Sequence, residues 1–185
     1  MISHISGTII YKDSDHLIID ARGVGYKIFV PNHALADSIL DEHLSLWTHD
    51  VVREQNRDLY GFLTRTDLNF FELLINISGI GPKGALGILN TAPVDVIVEG
   101  VRRGDTTHLT KVAGIGKKSS EKIILELRDK LGKLEQEETS SNIVDAIDGL
   151  VALGYSEREA RENVKKLDRG LSAEELIKKS LKNLH

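Results

Sequence analysis

Cysteine is absent from the 185 residues, which excludes disulfides and thiolate metal sites and fits a reducing, cytoplasmic setting. No apolar run approaches the roughly 18 to 20 residues needed to cross a bilayer. The opening Met-Ile-Ser-His-Ile-Ser-Gly lacks both a basic stretch and a long apolar one, so neither a signal peptide nor a membrane partner is expected. The seven histidines are scattered, with no two at helical metal-ligand spacing, so no metal site and no cofactor are expected. A nucleotide-binding loop is missing as well. Gly116-Lys117-Lys118-Ser119 resembles the end of one, but the glycine required earlier is Lys111, and the serine is displaced by one position. Clustered carboxylates of a nuclease are not readable either. These absences point away from an enzyme.

A net positive charge is also lacking, since the chain carries −4. Its distribution matters more than its sum. Residues 1–63 hold 5 Lys+Arg against 9 Asp+Glu, residues 64–134 hold 11 against 8, and residues 135–185 hold 8 against 11. Only the middle third is basic, so a phosphate-binding surface is to be sought there.

What is present divides the chain into parts. The first third reads as strands: Thr8–Tyr11 and His16–Asp20 around a polar turn, Tyr26–Val30, then His43–His49 and Val51–Phe62. Asn32 is placed to cap a short helix over Ala34–Leu40. Arg53-Glu54-Gln55-Asn56-Arg57-Asp58 supplies a charged hairpin tip. Five or six short strands in this length predict a small closed barrel, because closure removes exposed edges.

From Asp67 the apolar period becomes helical, with Leu68, Phe71, Leu74, Ile75 and Ile77 on one stripe. Further helices are predicted over Pro82–Leu89, Pro93–Arg102, Thr107–Val112 and Lys117–Leu131. Residues 132–141 are polar and acidic, which reads as a flexible linker. Three short helices follow. Ser156 with Glu159, and Ser172 with Glu175, match the capping-box spacing, and Ile143, Ile147, Leu150, Val151, Val164, Leu167, Leu176, Ile177 and Leu181 form the candidate core. The expected fold is α+β and multidomain: an OB-type β-barrel (1–63), an all-α tandem helix-hairpin-helix domain (64–132), a linker (133–141) and a three-helix bundle (142–185).

The middle segment contains an internal repeat. Ile77-Ser78-Gly79-Ile80-Gly81-Pro82-Lys83-Gly84 matches Val112-Ala113-Gly114-Ile115-Gly116-Lys117-Lys118-Ser119 at a displacement of 35 residues. The chemistry suits a phosphate. Glycine lets a hairpin backbone approach a ligand closely, and the first N–H groups of the next helix have no internal partner. Gly79, Gly81, Lys83 and Gly84 in one copy, and Gly114, Gly116, Lys117, Lys118 and Lys122 in the other, are the candidate DNA contacts. Ile80 and Ile115 are expected to face inward. Such contacts touch phosphates, not base edges, so binding should be largely independent of sequence. A lone Gly-x-Gly is usually just a turn; two copies with matched flanks are not.

With these parts in place the chain resembles the RuvA family. The phrases that carry the resemblance are HISGTII, GVGYKIFVP, VVRE…LYGF, both hairpins and LVALGYS, and they span the whole sequence. The resemblance implies a homotetramer, one or two to a junction, that holds a four-way (Holliday) DNA junction open on a basic face during recombination, DNA repair and the SOS response. It implies a C-terminal bundle that recruits the hexameric AAA+ ATPase RuvB, with the junction resolvase as a further partner, and a chain that is itself a non-catalytic subunit of the branch-migration complex. It also implies that Glu54 belongs to an acidic pin at the hairpin tip, with Gln55 where the second acid usually stands and Asp58 nearby. Leu150, Leu153 and Tyr155 become candidate contacts to the motor. The barrel aromatics Tyr11, Tyr26, Phe29, Trp47, Tyr60 and Phe62 read mostly as core or pairing positions, so the barrel is a scaffold more than a single-strand groove.

Two other readings fit parts of the chain. Helix-hairpin-helix pairs also serve as targeting modules of DNA repair enzymes, but neither a lysine nucleophile with a nucleotide pocket nor metal-binding carboxylates are readable here. A protein-interaction adaptor built on the C-terminal bundle leaves the duplicated lysine-bearing hairpins unexplained.

Overall fold

Alternating apolar residues in the first third build five strands: β1 (His4–Lys12), β2 (His16–Ala21), β3 (Val24–Phe29), β4 (His43–Val52) and β5 (Arg57–Phe62). The computed structural model describes residues 1–111, 116–167 and 170–184. The strands close in the order β1-β2-β3-β5-β4. Only β3 and β5 pair in parallel, and closure leaves no free edge to be protected. Ile5, Ile9, Leu17, Ile19, Ile28, Leu46 and Leu59 fill the interior. The β2–β3 turn places Arg22 and Gly23 at positive φ, 57° and 88°, the conformation that two-residue hairpins favour.

β1 shows how the barrel closes. It pairs with β2 through Thr8 and with β4 through Gly7, and its register shifts between Ile9 and Tyr11. Gly7 lies so close to β2 that a Cβ there would overlap the Asp20 carbonyl. A glycine at such a bend is what a tight barrel corner requires.

The helix α1 (Asn32–Asp37) starts two residues before the expected Ala34 and ends three before the expected Leu40. Pro31 is its N-cap, and the Asn32 N–H instead donates to Asn90 Oδ1 at 2.8 Å. Helix α2 (Arg65–Ile75) is capped by Thr64, whose side chain accepts from the Asp67 N–H. Its Phe71 is fully buried against Phe62 and Tyr60, with ring centroids 4.9 and 5.2 Å away. Strand β5 is therefore covered on both faces. Leu59 faces inside, and Tyr60 and Phe62 lie under α2. This packing joins the barrel to the helices α3 (Pro82–Leu89), α4 (Val94–Arg103) and α5 (Thr107–Thr110) in one compact unit, Met1–Arg128.

The second unit is Asp129–His185. Helix α6 (Lys117–Ala152) runs for 36 residues and contributes to both units. Residues 133–141, expected as a flexible linker, have helical backbone as part of α6. Composition argued for solvation, and the segment is indeed largely solvated where its side chains are described. Leu, Glu, Gln and Lys are nevertheless strong helix formers, and no proline interrupts them. Helices α7 (Glu157–Val164) and α8 (Ala173–Leu184) pack with the end of α6 around Ala146, Ile147, Leu150, Ala160, Val164 and Leu176. Val151, assigned to this core from its spacing, is exposed. Among the described residues no single helix is long and apolar enough to cross a membrane.

Both expected caps form. Ser156 accepts from the Glu159 N–H while Glu159 reaches back to the Ser156 N–H, and Ser172 with Glu175 repeats the exchange. Hydrogen bonds from Ser156 hold the Glu159 carboxyl below its ordinary range. The cap is thus fully present at neutral pH and is lost as pH falls through that lowered value. Ser156→Ala is expected to make α7 amides exchange about fivefold faster in the full chain. Unchanged exchange would show that the cap does not hold α7.

Candidate nucleic-acid interface

The first hairpin is built by the end of one helix and the start of the next. Asn76 ends α2. The Ile77 N–H then donates to Leu74 O at 3.0 Å, and the Ile80 N–H to Ile77 O at 3.1 Å. Gly79 takes φ +93° between them, a conformation that costs a side-chain-bearing residue about 1–2 kcal/mol. Ile77 and Ile80 are buried, which confirms the inward orientation expected for Ile80. Apolar side chains therefore point in, and the glycine backbone points out. A Cβ at Gly79 or Gly81 would meet nothing within 4 Å. The outer side of the hairpin is open space.

Gly81 is extended and caps α3, with Pro82 in the first turn. Because proline has no N–H, the free donors of this first turn are those of Lys83 and Gly84. The Lys83 side chain is exposed beside them. Buried Ala85, Leu86, Ile88 and Leu89 anchor the helix. Open backbone, free N–H groups, the positive end of the helix dipole and a lysine meet on one side, which suits an anion.

The second copy keeps the same frame. The Ala85 N–H donates to Gly81 O at 2.9 Å, and 35 residues on the Ser120 N–H donates to Gly116 O at 2.9 Å. Ile123 and Ile124 are buried where Ile88 and Leu89 stand in the first copy. Lys117 takes the position of Pro82, so this helix start offers one more N–H than the first. Gly116 again borders open space, and Lys122 is exposed on α6. Gly114 and Ile115 lie outside the described residues, as do the side chains of Lys117 and Lys118. The preceding helix, expected to reach Val112, is a single turn ending at Thr110.

The β4–β5 tip carries the other candidate group. Glu54 and Gln55 are exposed, and the Arg53 N–H closes the tip onto Asn56 O at 2.8 Å. Asp58 is not at the tip. It pairs with Val51 in the ladder. Beneath the tip lies a feature that sequence reading missed. Arg57 donates through Nε and Nη2 to the two carboxylate oxygens of Asp50, at 2.9 and 2.7 Å. Val52 faces Arg57 across the ladder, so Asp50 and Arg57 are diagonal neighbours on one face.

The three residues assigned to a motor contact separate. Leu150 is fully buried in the bundle core. Leu153 is exposed, and Tyr155 is half-buried against the core. Among the described residues no three His, Asp or Glu side chains gather as metal ligands.

Three family models match the chain in order: the RuvA N terminal domain over residues 1–61, a SAM-like helix-hairpin-helix tandem over 71–129, and the RuvA C-terminal domain over 141–185. The Holliday junction branch migration complex subunit RuvA of Clostridium perfringens is 37% identical over 199 residues, covering 100% of this chain and 99% of that protein. The same-named subunit of Pseudomonas fluorescens is 37% identical over 201 residues, covering 100% of both. That of Clostridium botulinum is 35% identical over 195 residues, covering 100% of this chain and 99% of the relative.

Proposed function

Because this chain belongs to the RuvA family of Holliday junction branch migration complex subunits, we propose that it binds four-way DNA junctions through their sugar-phosphate backbone. It acts as a homotetramer, holds the junction open, and presents it to a hexameric AAA+ ATPase that supplies the hydrolysis. The observation that carries this reading is the paired helix start. Two glycine-capped helices, 35 residues apart with the same capping hydrogen bond, face open space at Gly81 and Gly116. A phosphate approaching either meets backbone N–H groups and lysine charge without a side chain in the way. Glu54 at the exposed tip repels phosphates and helps separate strands. The exposed Leu153, with Tyr155 beside it, is where the bundle meets the motor.

A gel-shift series with a synthetic four-way junction and a linear duplex of equal length, across salt concentrations, tests this. Junction preference that persists at moderate salt supports it. Equal binding to both would reduce the hairpins to general duplex contacts. Lys83→Gln should weaken binding to junctions of any sequence and flatten the slope of log affinity against log salt by about 0.9 for each phosphate left without its cation. An unchanged slope would remove Lys83 from the interface.

A further inference from the structure

The charged tip poses a problem that its sequence hides. Residues 53–58, the tip and the first two residues of β5, contain Arg53, Glu54, Arg57 and Asp58, which sum to zero. A tip that repels phosphate needs a negative surplus. Moreover, Arg57 carries a planar fork suited to binding a phosphate at two points. Left free, three residues from Glu54, it would attract the strands that Glu54 repels.

Asp50 removes that conflict. Its side chain is 1% exposed while that of Arg57 is 55% exposed, so the acid is fixed inside the ladder face and the base reaches back to it. Both carboxylate oxygens hold the guanidinium, and Oδ2 also accepts from the Ile2 N–H at 3.3 Å. Ile2 is tied in turn to β4, because its carbonyl accepts from Thr48 Oγ1 at 2.8 Å. Arg57 is thus held by a clamp whose acid does not move with the tip. Hydrogen bonds from Arg57 keep the Asp50 carboxyl below the ordinary carboxylate range, so the pair is charged at neutral pH. With Asp50 counted, residues 50–58 carry a net −1.

We propose that Asp50 is a positioning residue that sets the charge of the β4–β5 hairpin end, by sequestering the Arg57 guanidinium from DNA phosphates and leaving Glu54 and Asp58 opposed by Arg53 alone. The inference rests on the reading of this chain as a junction binder. Asp50 itself touches no DNA. It acts through Arg57.

The test is a junction gel-shift salt series on the full-length chain, comparing wild type with Asp50→Asn, Arg57→Gln and the double variant. Asp50→Asn frees Arg57 to bind phosphate, so binding tightens several-fold and the salt slope steepens by about 0.9 for one more neutralised phosphate. The double variant restores both the net charge of 50–58 and the wild-type slope, although the ion pair is gone. A purely structural clamp predicts the opposite, that the double variant is as impaired as either single one. Arg57→Gln alone leaves the slope unchanged, and this arm stands even if Asp50→Asn fails to fold. A slope flattened by Arg57→Gln would mean that Arg57 already touches DNA, and would overturn the inference while leaving junction binding intact. Equal wild-type affinity for junction and duplex would overturn the junction reading and this inference with it.

Discussion

Replacing Gly81 and Gly116 together by valine is expected to lower junction affinity on the order of 100-fold while the chain stays folded. The separation of binding from folding follows from local geometry. Gly81 lies at φ −89° and ψ 172°, in the extended region that valine favours. Gly116 is likewise outside the left-handed region, and a Cβ at either position meets nothing within 4 Å. The stability cost is confined to a poorer N-cap, roughly 1 kcal/mol per helix. The binding cost is larger because the added side chain fills the space in which a phosphate reaches the helix N–H groups. Losing one charge-assisted hydrogen bond per hairpin, at about 1.5 kcal/mol each, gives the hundredfold figure. Gly79 would be a poorer probe, since its φ of +93° makes any substitution strain the backbone and mixes the two effects. Circular dichroism and a thermal midpoint check the fold, and a junction gel shift checks binding. A folded double variant that binds within twofold of wild type would show that the hairpins are not the phosphate contacts.

Legibility in the sequence followed the range of the interactions. The strands of the barrel were readable because alternation is a local property, and the turn between Tyr11 and His16 announced itself by its polar composition. The parallel pairing of β3 with β5 was not readable, because it depends on closure of the whole sheet. Phe71 stood out as part of an apolar stripe, but nothing local said that the stripe would cover Tyr60 and Phe62. The repeat was the most legible functional feature, and its displacement survives in the matched hydrogen bonds of Ala85 and Ser120. In the segment 133–141 polarity and helix propensity are different quantities, and only the first marked it as a linker. Its described side chains are largely solvated, yet its backbone is part of the helix α6. Leu150 and Leu153 illustrate a related limit. They are three apart, Leu150 in the last turn of α6 and Leu153 just past its end, and one is fully buried while the other is exposed. The Asp50–Arg57 pair stayed hidden because seven positions along the chain become diagonal neighbours only once the β4–β5 register is known.

Gly7→Ala should be the most destabilising single methyl that can be added to the barrel, costing more than about 4 kcal/mol. The obstacle is a backbone carbonyl, that of Asp20, a residue held between β1 and β3 by pairing with Thr8 and Gly25. β1 pairs on both sides, through Thr8 with β2 and through Gly7 with β4, so moving it away from one neighbour drives it against the other. Gly61→Ala makes a useful comparison. There the Cβ would stand 2.6 Å from Ile28 Cγ2 and 2.9 Å from Leu46 Cδ1; the Leu46 tip can change rotamer and the stiff Ile28 must shift as a side chain, not as backbone, so a smaller loss of about 1–3 kcal/mol is expected. Urea unfolding of the full chain measures both, because the single tryptophan is Trp47, on β4 of the barrel. If Gly7→Ala unfolded within about 1 kcal/mol of wild type, or proved milder than Gly61→Ala, closure would not depend on the β1 corner. The expected order has a functional consequence. Tyr60 and Phe62 hold α2 on the barrel through Phe71, and α2 leads directly into the first hairpin. A barrel opened at Gly7 therefore loses the support that fixes Gly81 and Lys83 in place, and junction affinity should fall with barrel stability although no DNA-binding residue has been changed.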